Sequence, residues 1–327
     1  MTDLSMLLTK TSAYKTVSGE KRSGRLSHAY LILTADNDNL YGYLKVFAKL
    51  ISCSADSFCD KCRSCRLIDN NSHPDVIVFP KKGDAVLAED VNTLIGESYL
   101  KPVESEKKIF IINHAESMNA SAQNKLLKTL EEPPENVCIL IGATNEFALL
   151  QTVKSRVKKL EIPPFDKETL YDVLKGEFTD SARLKKAIAC GDGTISKAVK
   201  LYSDDNLSDA IALAEDMILN MKSSSNVLEY TEKITSLKSG VDDFLSVTEL
   251  IFRDMLANMQ GNHSLVLNSE SIKKVSGATG FCTGAIINAL EKITEANERK
   301  KFNANPTMLI EWLLFQILEG KYKWQKL

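Results

Sequence analysis

The sequence predicts an α/β domain with a parallel sheet, followed by an all-α region. Three observations support this prediction. In the first half, short runs rich in β-branched and aromatic residues alternate with segments of helical spacing. Strand signals stop after "EIPPFDKETL", and the rest of the chain shows helical spacing only. Alternation of this kind is typical of a parallel sheet with helices on both faces.

Five strands are predicted, with helices between them. Helical spacing is clearest over 86–100 and 120–131, and Asn119 can cap the second of these helices before Pro133-Pro134 ends it. The predicted strands cover 30–33, 76–79, 109–113, 137–141 and 159–162.

A domain boundary is expected near residue 165. Pro163-Pro164 ends the last strand, and Asp166 can cap the helix that follows. Short helices with "CGDGT" as their internal turn fill 166–206, and the polar joint "YSDDNLSD" precedes a longer helical block over 207–327. We therefore expect three parts, 1–165, 166–206 and 207–327.

Composition excludes several classes of protein. With 44% hydrophobic residues in 327, the chain can bury a large core, and its longest apolar runs fall short of the roughly 20 residues of a membrane span. The N-terminus "MTDLSMLLTKTSAYK" lacks a signal-peptide pattern, so we expect a cytoplasmic protein. The net charge of −2 includes no basic excess in either half, so any contact with DNA is expected to be shared with partners.

The turn after the first strand lacks a phosphate-binding pattern. It reads "TADNDNLYGY", with no glycine before Gly42 and no lysine before Lys45, which already belongs to the next helix. The G-x-x-x-x-G-K-[ST] pattern, whose backbone amides and lysine hold phosphates, is therefore absent. The strand "IFII" likewise ends in Asn113 and His114, neither of which supplies the anionic charge that Mg²⁺ prefers.

Four cysteines form the strongest local signal. Cys53, Cys59, Cys62 and Cys65 stand in "CSADSFCDKCRSC" at C-x5-C-x2-C-x2-C spacing, which suits a structural Zn²⁺ held by four thiolates with no open position for water. The alternative is four reduced cysteines without a metal, but their polar neighbours argue against burial of all four as hydrophobic residues. His73 is expected to be a packed histidine, and the three other cysteines, Cys138, Cys190 and Cys282, are expected to be core residues.

Several segments together carry a family resemblance. "GRLSHAYLIL", "CDKCRSCRL", "HPDVIVF", "AESMNASAQNKLLKTLEEPPENV", "IGATN" and "LLQTVKSRV" cover residues 1 to about 165. This combination resembles the clamp-loader branch of the AAA+ proteins, and within it the delta-prime family of bacterial DNA polymerase III subunits. The active gamma and tau relatives carry the phosphate loop and the acidic pair that this chain lacks. The first cysteine spacing is also shorter than is usual in the family.

The resemblance implies a fold and a role. It implies an AAA+-like domain over 1–165 with an inserted zinc loop at 53–65, a small helical lid over 166–206 and a helical collar for oligomerisation over 207–327. It further implies a non-hydrolysing subunit, binding no ATP itself, in a ring with delta and the ATP-hydrolysing gamma or tau subunits. That ring loads the sliding clamp at primed DNA.

The resemblance also implies a role for one arginine. Arg156, with Ser155 before it, follows a helix predicted over "EFALLQTV" and matches the family's trans-acting arginine finger. From spacing alone, the favoured interpretation is a surface arginine in a solvated basic edge with Lys154 and Lys158. Thr144 and Asn145 match the position that senses the γ-phosphate in active relatives, and we expect them to be structural here.

Two other functions remain open at this point. One is an ATPase with a degenerate phosphate loop, which nucleotide binding by the isolated chain would indicate. The other is a zinc-bearing nucleic-acid-binding module, which salt-dependent DNA binding by the isolated chain would indicate.

Overall fold

The computed structural model describes residues 4–83, 85–191, 193–203, 207–237, 240–262, 266, 269–275, 277–278, 280–301 and 304–323. The chain forms two compact units, residues 1–173 and 174–327. The centre of the polar joint predicted within 202–209, and residue 192 of the predicted "CGDGT" turn, lie outside the described residues.

The first unit contains the predicted parallel sheet. All five expected strands are present and pair in parallel in the order β2-β3-β4-β1-β5. Because every strand runs the same way, the loops that follow β1, β3 and β4 meet at one edge of the sheet. The strands are Ala29–Thr34 (β1), Val76–Phe79 (β2), Lys108–Ile112 (β3), Val137–Ala143 (β4) and Lys158–Ile162 (β5).

Helices cover both faces of this sheet. Ile139 and Ile141 of β4 share a buried cluster with Leu126 and Leu130, whereas a Cβ added at Gly142 would lie 2.6 Å from Leu44 on the opposite face. The α-helices of this part are Leu4–Leu8 (α1), Ser12–Arg22 (α2), Leu40–Ser52 (α3), Arg63–Asp69 (α4), Ala88–Ser98 (α5), Ala120–Glu131 (α6), Gln151–Lys154 (α7) and Lys167–Leu174 (α8). The α/β prediction is confirmed.

Helix ends follow the predicted capping. Asn119 accepts a hydrogen bond from the backbone N–H of Ala122 at 2.8 Å at the start of α6. Asp166 accepts one from the N–H of Thr169 at 2.7 Å at the start of α8. Both caps satisfy N–H groups that have no partner inside their helix.

The helix predicted over "EFALLQTV" is two separate pieces. A single 3-10 turn covers Glu146–Ala148, and α7 begins only at Gln151. The extended residues between them are held by a buried side chain, because the N–H of Leu150 donates to Oε1 of Gln123 at 2.7 Å. A continuous helix would direct that N–H to a carbonyl one turn earlier.

The second unit is all-helical in its described residues. Phe244, Phe252 and Leu313 are fully buried members of one hydrophobic cluster. The helices are Ser181–Cys190 (α9), Ile195–Ser203 (α10), Leu207–Asn220 (α11), Ser224–Thr235 (α12), Gly240–Met259 (α13), Ser269–Val275 (α14), Thr283–Lys301 (α15) and Pro306–Lys323 (α16). Ala187 of α9 and Leu201 of α10 belong to the same cluster, so a lid separate from the collar remains a prediction. Across the described residues, none of the helices combines the length and apolarity needed to span a membrane.

Candidate functional site

The loop between β1 and α3 carries its own carboxylate. Asp36 is only 2% exposed, and its carboxylate accepts hydrogen bonds from Nδ2 of Asn39 at 3.1 Å and from the hydroxyl of Tyr43 at 2.9 Å. In a phosphate loop, backbone N–H groups and a lysine face the same region just before the helix. Here an anion is already fixed beside the N-terminus of α3, which disfavours a second anion.

Lys45 does not compensate for this anion. Its Nζ donates to the carbonyl of Asp69 at 2.8 Å and lies 5.5 Å from the ring centre of Tyr41. The structure therefore places the first lysine after β1 on the side of α3, in contact with α4.

The loop after β3 replaces the acidic pair with a different network. Asn113 ends the strand ladder by donating its N–H to the carbonyl of Phe79 at 2.9 Å, and His114 has a left-handed backbone with φ of 54°. Oε1 of Glu116 lies 3.4 Å from Nδ1 of His114. The same oxygen accepts hydrogen bonds from the N–H and hydroxyl of Thr144, at 3.1 and 2.7 Å.

The two residues predicted at the sensor position both make hydrogen bonds within the unit. Thr144 is bonded to Glu116, and Oδ1 of Asn145 accepts the N–H of Phe147 at 2.9 Å, capping the 3-10 turn. Both side chains therefore have partners within the chain. Glu116 was missed by sequence reasoning, because it stands two residues beyond the position where an acidic residue was sought.

A cleft of about 590 Å³ lies at the carboxyl ends of β1, β2 and β3. The residues that line it include no lysine or arginine, and the nearest positive charge recorded beside the lining is Lys81, whose Nζ lies 5.2 Å from the ring centre of Phe79. Its lining consists of Asn37, Tyr41, Val78, Phe79, Pro80, Gly83, Asn113 and His114.

Arg156 lies between α7 and β5 with about a third of its side chain exposed. Its Nη1 donates to the carbonyl of Thr152 at 2.9 Å and to Oγ of Ser155 at 3.3 Å. Its Nη2 lies 2.6 Å from Oε1 of Glu131, the last residue of α6. The guanidinium is thus a partly exposed cation with a defined orientation, whereas the loop after β1 holds a buried carboxylate.

The four predicted cysteines meet in space. Their sulfur atoms all lie within 4.8 Å of one another, with Sγ of Cys53 3.6 Å from that of Cys59 and 3.9 Å from that of Cys62. Tetrahedral Zn²⁺ with Zn–S bonds of about 2.3 Å requires sulfur separations of about 3.8 Å. The set fits a metal ion held by four thiolates. His73 is not part of it, since its Nε2 pairs with Oγ of Ser64 at 2.9 Å.

Backbone N–H groups prepare part of the cysteine cluster for metal binding. The N–H groups of Lys61 and Cys62 hold the pKa of Cys59 at about 6, whereas burial raises the pKa of Cys65 to about 12. The N–H of Cys65 also points to the sulfur of Cys62 at 3.4 Å. A bound cation would displace the remaining thiol protons, because metal ions coordinate the thiolate form.

Two lysines fasten the cysteine loop to the unit. Lys49, almost fully buried on α3, lies 2.7 Å from Asp60 and 2.6 Å from Asp69. Lys21 of α2 donates to the carbonyl of Ala55 at 2.6 Å. The loop is thereby joined to helices on the face of the sheet that carries α3.

Sequence comparison identifies relatives over most of the chain. A family model described as "DNA polymerase III, delta subunit" matches residues 9–166. The delta-prime subunit of DNA polymerase III from Bacillus subtilis is 26% identical over 308 residues, covering 90% of this chain and 92% of that protein. The delta-prime subunit from Yersinia pestis is 32% identical over 148 residues, 44% of each chain.

Solved structures show more distant likeness. A DNA polymerase III gamma subunit-related protein from Thermotoga maritima has 19% identity and a TM-score of 0.43, over 93% of this chain and 99% of that one. The Bacillus subtilis clamp loader delta protein has 12% identity and a TM-score of 0.36, with the same coverage. The likeness therefore rests on the sequence matches, of which the one to the Bacillus subtilis protein extends across both units: the chain is similar to the delta-prime subunits of the DNA polymerase III clamp loader.

Proposed function

We propose that this clamp-loader subunit is a non-hydrolysing member of its ring and acts on ATP that a neighbouring subunit binds. It holds no nucleotide itself and offers Arg156, with Ser155 beside it, as an arginine finger in trans. The observation that carries this proposal is the contrast between a buried carboxylate at Asp36 and a partly exposed guanidinium at Arg156. A planar guanidinium suits bidentate contact with a γ-phosphate.

The proposed partners are the gamma or tau ATPase subunits and the delta subunit, with the sliding clamp and primer-template DNA as the complex's targets in the cytoplasm. The proposed collar, residues 207–327, offers a surface for such assembly. Met308, Phe315 and Tyr322 are exposed on α16 at intervals of seven residues, and therefore share one side of that helix.

We further propose that the metal at Cys53, Cys59, Cys62 and Cys65 is a structural Zn²⁺. Four sulfur ligands fill a tetrahedral shell, so the ion would stabilise the 53–69 segment without taking part in a reaction.

The proposal is tested by replacing Arg156 with Ala in rings reconstituted from this chain and its partner subunits. Assembly is confirmed by gel filtration, and DNA-stimulated ATP hydrolysis and clamp loading are then measured. An arginine finger contributes about 10³ to 10⁵ in rate at its own site. Since the other sites keep their own arginines, total hydrolysis should fall partially and clamp loading should fall further.

Lys154→Ala is the matched control, because it removes a neighbouring positive charge while keeping the guanidinium. It should leave both activities near wild type. Equal losses in the two variants would indicate a solvated basic edge, and full activity in Arg156→Ala would leave the chain with a purely structural role.

A further inference from the structure

The carboxylate of Glu131 makes the shortest contact of the Arg156 guanidinium. Oε1 of Glu131 lies 2.6 Å from Nη2, whereas Nη1 donates to the carbonyl of Thr152 and to Oγ of Ser155. The guanidinium is therefore held by acceptors from two different elements, the end of α6 and the short helix α7 with the residue that follows it.

Glu131 has no evident role in stabilising its own helix. It occupies the last position of α6, where the helix dipole is negative and an acidic side chain is unfavourable. In the described part of the chain, its ion pair is with Arg156, whereas its neighbour Glu132 forms none. The acidic residue at this position is therefore better explained by what it does to Arg156.

The two elements that hold Arg156 are fixed relative to each other. Gln123 of α6 is 2% exposed, and its Nε2 donates to the carbonyls of Met118 and Ala148, both at 3.0 Å. Its Oε1 accepts the N–H of Leu150 just before α7. A buried amide with all of these bonds satisfied locks α6 to the segment that leads into α7.

From this geometry we infer that Glu131 is a positioning residue for Arg156, fixing the guanidinium in the orientation in which it meets the neighbour's phosphate. This inference rests on the proposed function in trans. The guanidinium has five N–H groups, and the contacts above use three, so the others stay available to a phosphate while Glu131 remains bound.

The ion pair is too weak to block the arginine. About half of the Glu131 side chain is exposed, and an exposed pair changes an equilibrium by less than about fivefold. A finger accelerates its reaction by about 10³ or more. The carboxylate can therefore orient Arg156 without preventing it from reaching a stronger anion.

The test is a double-mutant cycle in reconstituted rings, with wild type, Glu131→Gln, Arg156→Ala and the double variant. Glu131→Gln should lower the turnover of the affected site about two- to fivefold. The site would thus lose roughly half to four fifths of its turnover, whereas Arg156→Ala should remove almost all of it. KM for ATP should not change, because the neighbour binds the nucleotide. The double variant should match Arg156→Ala alone, since Glu131 acts through that side chain. Glu132→Gln is the control and should behave as wild type.

The outcomes separate the two proposals. Wild-type turnover in Glu131→Gln, together with a loss in Arg156→Ala, overturns the positioning role and leaves the finger. Increased turnover in Glu131→Gln also overturns it, because the carboxylate would then restrain the arginine. A further loss in the double variant beyond Arg156→Ala shows that Glu131 acts elsewhere and overturns it too. Wild-type activity in Arg156→Ala removes the proposed function itself.

Discussion

The loop after β1 and the segment after α7 belong to the same unit and carry opposite charge. The first buries the carboxylate of Asp36 against Asn39 and Tyr43. The second presents the guanidinium of Arg156, whose Nη2 and Nη1 contact Glu131 and Thr152. One segment buries a carboxylate and the other presents a partly exposed guanidinium.

In the proposed function, this difference lets a nucleotide-binding fold lose its own site and still serve a neighbour. The sheet and its helices position both segments, and they depend on apolar packing that does not need a nucleotide. The charge of a few loop side chains then decides the function of each segment. The following predictions test whether the two segments are as independent as this comparison requires.

Removal of the metal should have the largest effect. That effect should be confined to the cysteine loop and α3 and should not reach the segment that carries Arg156. Binding energies of structural zinc sites reach about 10–16 kcal/mol in small peptides. A chelator should therefore lower the unfolding temperature and speed hydrogen exchange over 53–69 and at the end of α3, which Lys49 joins to the loop. Exchange over 146–158 should be unchanged.

Metal content by mass spectrometry checks the same prediction, with about one Zn²⁺ per chain expected. Cys59→Ser should lose the ion and Cys282→Ser, outside the cluster, should keep it. A metal-free protein whose stability is indifferent to chelator would contradict the zinc proposal.

Replacing Asp36 with Ala should have an intermediate effect. The buried hydroxyl of Tyr43 and the amide of Asn39 would lose their acceptor, which costs about 1–3 kcal/mol for a buried polar group. Denaturant unfolding measures this loss. Asp38, an exposed aspartate in the same loop, provides the control. Asp38→Ala should change the free energy of unfolding by less than about 0.5 kcal/mol. Equal stability in the two variants would show that Asp36 does not hold the loop.

Thr144→Val should have the smallest effect. The valine keeps the shape of threonine but loses the 2.7 Å hydrogen bond to Glu116, at a cost of about 1 kcal/mol in stability. Because Thr144 faces no nucleotide in this account, ATP hydrolysis by the reconstituted ring should not change. A loss comparable to that of Arg156→Ala would mean that the sensor position is still functional.

The strands and helices are predicted from the sequence better than the loops that join them. The alternation of strands and helices, the Asn119 and Asp166 caps and the meeting of four cysteines follow from local periodicity and spacing. The helix predicted over 146–153 is wrong in its middle, because Gln123, distant in sequence, takes the N–H of Leu150.

The hydrogen bonds of the site's acidic side chains could not be predicted, because each depends on where its partner lies in the folded chain. Asp36 accepts a hydrogen bond from Tyr43, seven residues later, and Glu116 accepts one from Thr144 in the loop after another strand. Glu131 did leave a signal in the sequence. An acidic residue in the last turn of a helix is locally unfavourable, and "LEEPP" places one there. Arg156 was singled out by family resemblance, since its spacing alone indicates only a basic edge.

The central claim, that this chain closes its own nucleotide site while serving another, is tested most directly by titrating the isolated chain with ATP and Mg²⁺ in a calorimeter. The account predicts no saturable heat at concentrations below about 1 mM, which corresponds to a binding free energy weaker than about −4 kcal/mol. A clear isotherm with a micromolar Kd would contradict it. Such binding would show that the loop around Asp36 still accepts phosphate and would restore the interpretation as a degenerate ATPase.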